Sequence, residues 1–157
     1  MTPTELIILN FEEIRRRGVI LWKAMPEPQL NWQPDATAIS SIQMVRHVLQ
    51  SEHDFHRIIE NRGSAGLSFT SPWKDRPLMS ISEEIEFAQP FRREFLDYMQ
   101  TFSVDDLSRI TITRTELGQV KNLGDYLLRV AYHEAVHSGQ FLSYLRTLNI
   151  ARPQIWD

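Results

Sequence analysis

The chain of 157 residues contains no cysteine. That absence excludes a disulfide framework and a thiolate metal site, so any thiol chemistry must draw on an external thiol. Long apolar runs are missing too. No stretch approaches the roughly 20 residues that a membrane helix needs. The N-terminus, M-T-P-T-E-L-I-I-L-N-F-E-E, has no basic region ahead of an apolar run, so no signal peptide is expected. Nor is there an excess of positive charge: a net charge of −3 gives no reason to expect nucleic acid or an anionic membrane as partner. Internal repeats and low-complexity segments are absent. What remains is 42% hydrophobic and 24% charged, the composition of an ordinary globular protein. The expectation is one domain over residues 1–157, cytoplasmic by default.

Four amphipathic helices account for most of the chain. The first runs from Thr4 to about Met25, with Thr2 or Thr4 as cap and Pro26 and Pro28 as its end. Leu6, Leu9, Phe11, Ile14, Ile20, Leu21 and Trp22 supply its apolar positions, and Arg15, Arg16 and Arg17 read as a solvated face. A connection over residues 29–39 holds Trp32, expected as a packing anchor. The second helix runs from Ser40 to about Asn61, with a Ser40/Gln43 capping box and Gly63 as its stop. After a loop rich in Pro and Trp, the third runs from Ser80 to about Phe102 and is expected to kink or split at Pro90. Arg109 to Thr115 alternates R-I-T-I-T-R-T, which predicts a short extended segment or hairpin. The fourth helix runs from Asn122 to about Leu148, and the tail packs back through Ile155 and Trp156. This is an all-α pattern, a four-helix bundle whose long connections permit crossovers.

Chemistry concentrates in Tyr132 to Tyr144, Y-H-E-A-V-H-S-G-Q-F-L-S-Y. His133 and His137 lie four residues apart, so on a helix their rings stand about 40° from one another and one turn along the axis. They fall in a stripe with Tyr126, Val130, Tyr144 and Leu148, and a histidine in a buried stripe is costly unless hydrogen-bonded or metal-bound. On the second helix, His47 lines up with Met44, Ser51, Phe55 and Ile58 and is expected to face inward. His53 and His56 lie about 120° and 180° away and read as surface residues. His47, His133 and His137 therefore form a candidate tri-histidine site for a divalent metal. Zinc, nickel, iron and manganese all accept imidazole. Three protein ligands leave positions open, for water or for a thiolate from a cosubstrate.

His133-Glu134-Ala135-Val136-His137 also spells H-E-x-x-H, the zinc-protease signature in which the glutamate is general base. The protease classes take a third ligand downstream. Here the remaining residues contain no Glu or His, only the terminal Asp157. Glu134 sits about 100° from His133 on the wheel and is expected to make an interhelical contact or one behind the ligands.

The C-terminal run A-Y-H-E-A-V-H-S-G-Q-F-L-S-Y-L-R-T-L-N-I-A-R-P resembles the closing helix of the DinB-like (DNA-damage-inducible) family of four-helix-bundle metalloproteins. The family pattern H-x-x-x-H-x-G-Q-x-x-x-Y-L-R is carried by His133, His137, Gly139, Gln140, Tyr144, Leu145 and Arg146, with Pro153 after it. Trp32, Pro34, Ser40, Ser41 and His47 match the segment that carries the family's first ligand. Ser138, where many relatives carry Arg, and Asn149, in place of a common Gly, depart from the pattern. The resemblance implies crossover topology, a divalent metal on the three histidines, zinc or nickel first, and frequent homodimers, for which Phe87, Phe91 and Phe95 offer an apolar face. Some relatives use low-molecular-weight thiols, as in mycothiol-dependent maleylpyruvate isomerase and bacillithiol transferases. The expected activity is a metal-dependent enzyme of small electrophilic molecules, a thiol S-transferase. A hydrolase with activated water and a non-catalytic stress or sensor protein are the alternatives. Gln140 and Tyr144 are candidate supporting groups near the ligands, with packing as their competing role.

Overall fold

The computed structural model describes residues 1–156, and Asp157 lies outside the described residues. Four long helices form the molecule: α1 (Pro3–Lys23), α2 (Ser41–Glu60), α3 (Ile81–Gln100) and α5 (Leu123–Thr147). Between the last two come a six-residue helix α4 (Val104–Arg109) and a hairpin of β1 (Thr111–Arg114) and β2 (Gln119–Asn122). Local chemistry sets the starts. Thr2 with Glu5 and Ser40 with Gln43 form complete capping boxes, and Ser80 accepts from the Glu83 amide. Asn122 caps α5 through its backbone only. The helix stop after α2 is made differently from the sequence expectation. Arg62 takes the left-handed conformation (φ 59°), and Gly63 serves to bring the chain against β1.

The helix order is a crossover. α1 packs on α5 and α3, and α2 packs on α3 and α5, so the consecutive helices α1 and α2 face each other across the diagonal. Contacts give the directions. Phe11 meets Phe95 while Thr4 bonds Phe102, which makes α1 and α3 antiparallel. Arg46–Glu84 and Arg57–Glu94 make α2 and α3 parallel. Phe55–Tyr126 and His47–His133 make α2 and α5 antiparallel. The bundle is all-α but for the hairpin, as expected. α3 is not split: Pro90 sits within it on the exposed side, where the Glu86 carbonyl it leaves unbonded can reach water. The hairpin is pinned by Ile112, which is buried, and by the Gly63 segment along its edge. α4 has no counterpart in the sequence reading.

Two apolar clusters make the core. One gathers Leu21, Trp22, Val45, Leu49, Trp73, Phe141 and Leu145, and the other Phe11, Ile59, Phe95, Met99, Tyr126 and Leu127. Between them lies a polar layer with one charged residue from each long helix: Arg15, Glu52, Arg92 and Glu134, each at most 8% exposed. Several expectations are corrected here. Arg15 belongs to this layer and not to a solvated face, while Leu6 and Leu9 are exposed. His53 and His56 are buried, not superficial, because α2 turns Val45, Leu49, Glu52, His56 and Ile59 to the core. Phe87 and Phe91 are half-buried against Trp73, and Phe95 is buried against Phe11. In the tail Ile155 is buried and Trp156 is exposed.

Candidate metal centre

The three predicted ligands meet. α2 presents His47 and α5 presents His133 and His137 along the seam where the two helices pack. His47 Nε2 lies 3.1 Å from His133 Nε2, which lies 3.2 Å from His137 Nε2. One nitrogen from each ring falls within 4.8 Å of the other two. The seam is open: His47 is exposed and the other two rings are half-buried. His47 thus sits at the rim and does not face inward, about 160° round α2 from the centre of its buried stripe. The α5 stripe is likewise rotated from its expected phase. Glu134, with Leu127, Val130, Phe141 and Leu145, marks the buried centre, and the histidines lie on its flank.

The arrangement fits a divalent cation. His133 Nε2 carries either one proton or one lone pair, so it cannot make good hydrogen bonds to both neighbouring nitrogens at once. A cation among the three satisfies all of them. With metal–nitrogen bonds of about 2.0–2.1 Å, the two short separations correspond to angles of about 95–106°, within the range of common coordination geometries. Gln140 Oε1 stands 2.7 Å from His137 Nδ1. It accepts the proton of that nitrogen and so turns the Nε2 lone pair toward the other rings, the usual support for a ligating histidine. Burial, then His137, His47 and Arg129, pull His133 down to about 4, so its ring is neutral at physiological pH. Partial desolvation of its ring where α2 meets α5, then His137, lower His47 against the opposing pull of Asp54. Phe55 packs 5.5 Å from His133.

The remaining candidates separate. Tyr144 does not support the ligands: its hydroxyl donates to the Ile39 carbonyl at 3.0 Å and its ring packs edge-on to Trp32, which is indeed an anchor. Glu134 makes the interhelical contact. Arg15 Nε and Nη2 donate to its two oxygens at 2.7 and 2.9 Å. A carboxylate held at both oxygens by a buried guanidinium is no general base, so the H-E-x-x-H segment is not a protease site here. Arg15 Nη2 also lies 3.3 Å from Glu52, which in turn bonds Arg92. Burial lowers the Arg15 guanidinium, but Glu134 and Glu52 outweigh it and raise it above its usual value. Sequence reasoning missed Glu52, Arg92 and the role of Arg15. The available signal was that each occupies an apolar phase of its helix, as Arg15 does between Phe11, Gly18 and Trp22. Surface cavities of 620 and 510 Å³ lie elsewhere and include none of the histidines.

A family model for the DinB superfamily matches residues 10–141, a span that contains all three histidines. The chain belongs to the DinB superfamily. Solved structures share its fold. A DinB-like protein of Bacillus subtilis, YjoA, has a TM-score of 0.71 at 18% identity over 96% of each chain. A DinB-like protein of Bacillus cereus reaches 0.73 at 15% identity over 97% of each. YfiT of Bacillus subtilis also reaches 0.73, at 14% identity over 94% of this chain and 89% of its own. YfiT is described as a probable metal-dependent hydrolase with an unusual four-helix bundle topology. No curated protein matches the chain. Among the described residues, no helix of this DinB-superfamily chain is long and apolar enough to cross a membrane.

Proposed function

We propose that His47, His133 and His137 hold a divalent metal ion and that the protein is a metal-dependent enzyme acting on a small molecule at the α2–α5 seam. One observation carries this: three imidazole nitrogens converge on an open face, with no fourth His, Cys, Asp or Glu donor in the group among the described residues. A site closed by a fourth protein ligand would suit a structural or sensor role; three ligands on an exposed rim suit turnover. Zinc or nickel is the favoured ion, with iron and manganese as further candidates. When bound, such an ion lowers the pKa of a water or thiol that it holds.

The chain's own residues do the rest. Gln140 fixes the tautomer of His137, burial keeps His133 neutral, and the polar layer behind holds α5 in place. Hydrolysis by activated water is the first reading, supported by the description of YfiT. S-transfer from an external low-molecular-weight thiol is the second: the rim position of His47 leaves the outer face free for a cosubstrate, and the chain has no cysteine of its own.

The test is elemental analysis of metal per chain. Wild type should carry or take up about one ion, and both His47→Ala and the His133→Ala/His137→Ala double variant should lose it. If wild type takes up no zinc, nickel or manganese, the proposal fails. With cobalt bound, a sulfur charge-transfer band on adding a small thiol would select S-transfer, and its absence together with ester hydrolysis would select the hydrolase.

A further inference from the structure

The polar layer has an ordering that the metal reading does not require. Its two carboxylates, Glu52 and Glu134, stand on α2 and α5, the helices that carry the three histidines. Its two guanidinium groups, Arg15 and Arg92, come from α1 and α3, which carry none. Arg92 bonds Glu52 and the Phe11 carbonyl, the latter at 3.0 Å. Arg15 alone reaches both ligand-bearing helices: it bonds Glu134 at both oxygens and lies 3.3 Å from Glu52. Glu134 directly follows His133 in the chain, and Glu52 lies five residues after His47. The packing leaves room for this. A Cβ at Gly18, one turn beyond Arg15, would stand 3.1 Å from Glu134 Oε1 and 3.3 Å from the Trp22 ring.

We propose that Arg15 is a positioning residue for the metal centre: by tying Glu134 to Glu52 across the α2–α5 seam, it sets the separation of His47 from His133 and His137. The inference rests on the metal reading above. A single cation shared by the two ligand-bearing helices fixes both their spacing and their rotation. The guanidinium does so at defined atoms, with a two-point fork to Glu134 on α5 and a single contact to Glu52 on α2.

The test uses the full chain loaded with cobalt. Three variants are compared with wild type: Arg15→Met/Glu134→Gln, Arg15→Lys, and Met99→Ala. The first removes the clamp without leaving an unpaired Glu134 charge. The second keeps the charge but not the fork. The third truncates a buried side chain on α3, in the cluster of Phe11 and Phe95, and serves as the control for lost stability alone. The expected result is weaker metal binding by about 10–100-fold in the double variant, with displaced d–d bands. Arg15→Lys should be intermediate, and Met99→Ala should keep the wild-type spectrum and affinity. Wild-type affinity and an unchanged cobalt spectrum in folded double variant would overturn the proposal. If the double variant does not fold, the spectrum of Arg15→Lys decides in the same way. Failure of wild type itself to bind cobalt would instead sink the metal reading, so the two outcomes are separable.

Discussion

At the scale of the residue, two histidine environments make opposite use of burial. His133 is kept neutral beside two other rings, where a lone pair is useful. His56 is kept neutral in the core between Phe95 and Tyr98, where a charge would only cost. Burial, then Arg57, lowers His56 to about 4. Because the folded value lies below the unfolded one, near 6.5, the unfolded chain binds the extra proton first. The stability contributed is full above pH 6.5 and is lost as pH falls toward 4. Between pH 7 and pH 5 this one group should cost about 2 kcal/mol. Urea denaturation of metal-free protein at the two pH values should show that loss, and His56→Gln should show about 2 kcal/mol less of it; equal losses would refute the assignment. Gln140 makes the second prediction at this scale. Gln140→Leu removes the acceptor at His137 Nδ1 and frees the ring to turn. Metal affinity should fall about 10-fold or more while stability of the metal-free protein stays the same. Competition against a chelator measures the first and denaturation the second.

At the scale of the element, capping and alternation were legible and packing phase was not. Ser40 with Gln43, Ser80 with Glu83 and the alternating run at Arg109 are local signals, and each corresponds to a start or strand in the fold. The faces of α2 and α5 were misjudged for one physical reason. The expected stripes put His47, His133 and His137 inward and leave Glu52, His53, His56 and Glu134 out of the core, yet those four are buried. Counting them as polar rotated both apparent stripes and turned His47 inward. Ion pairing between helices is a long-range fact that no window on one helix contains. The same limit applies to Gly63, whose φ of 154° and contact with β1 depend on a segment fifty residues away. A Cβ there would stand 2.2 Å from the Thr113 carbonyl oxygen. Gly63→Ala should therefore push β1 from the end of α2 and cost about 3 kcal/mol, with lost hydrogen-exchange protection at Ser64 and Thr113 while the mid-helix amides of α5 keep theirs. Unchanged protection at those two amides would show that the strand can yield cheaply.

At the scale of the molecule, the bundle is two apolar halves joined by a charged layer, with the histidine cluster beside that layer at the seam of α2 and α5. The histidine triad was legible because a four-residue spacing on one helix and a resemblance over both helices pointed to the same three residues. The layer behind it was not, since its four members come from four helices. On the proposed metal site, a bound ion would link helices that are far apart in sequence, and an ion held by both α2 and α5 stabilises only the folded arrangement. At free metal about 100 times the dissociation constant, the gain is about 2.7 kcal/mol. For a chain of this length that corresponds to a rise in Tm of several degrees. Thermal unfolding with zinc or nickel should show the rise, chelator should reverse it, and His133→Ala/His137→Ala should show neither. His47→Ala is the more informative variant. With only the α5 pair left, any residual binding is confined to one helix and no longer joins it to α2. Such a local pair can also form in the unfolded chain, which then binds metal nearly as well, so the metal-dependent shift should be nearly abolished even where some metal stays bound. A full shift in His47→Ala would mean that the ion does not bridge the helices, and the tri-histidine centre would then be the wrong description of the site.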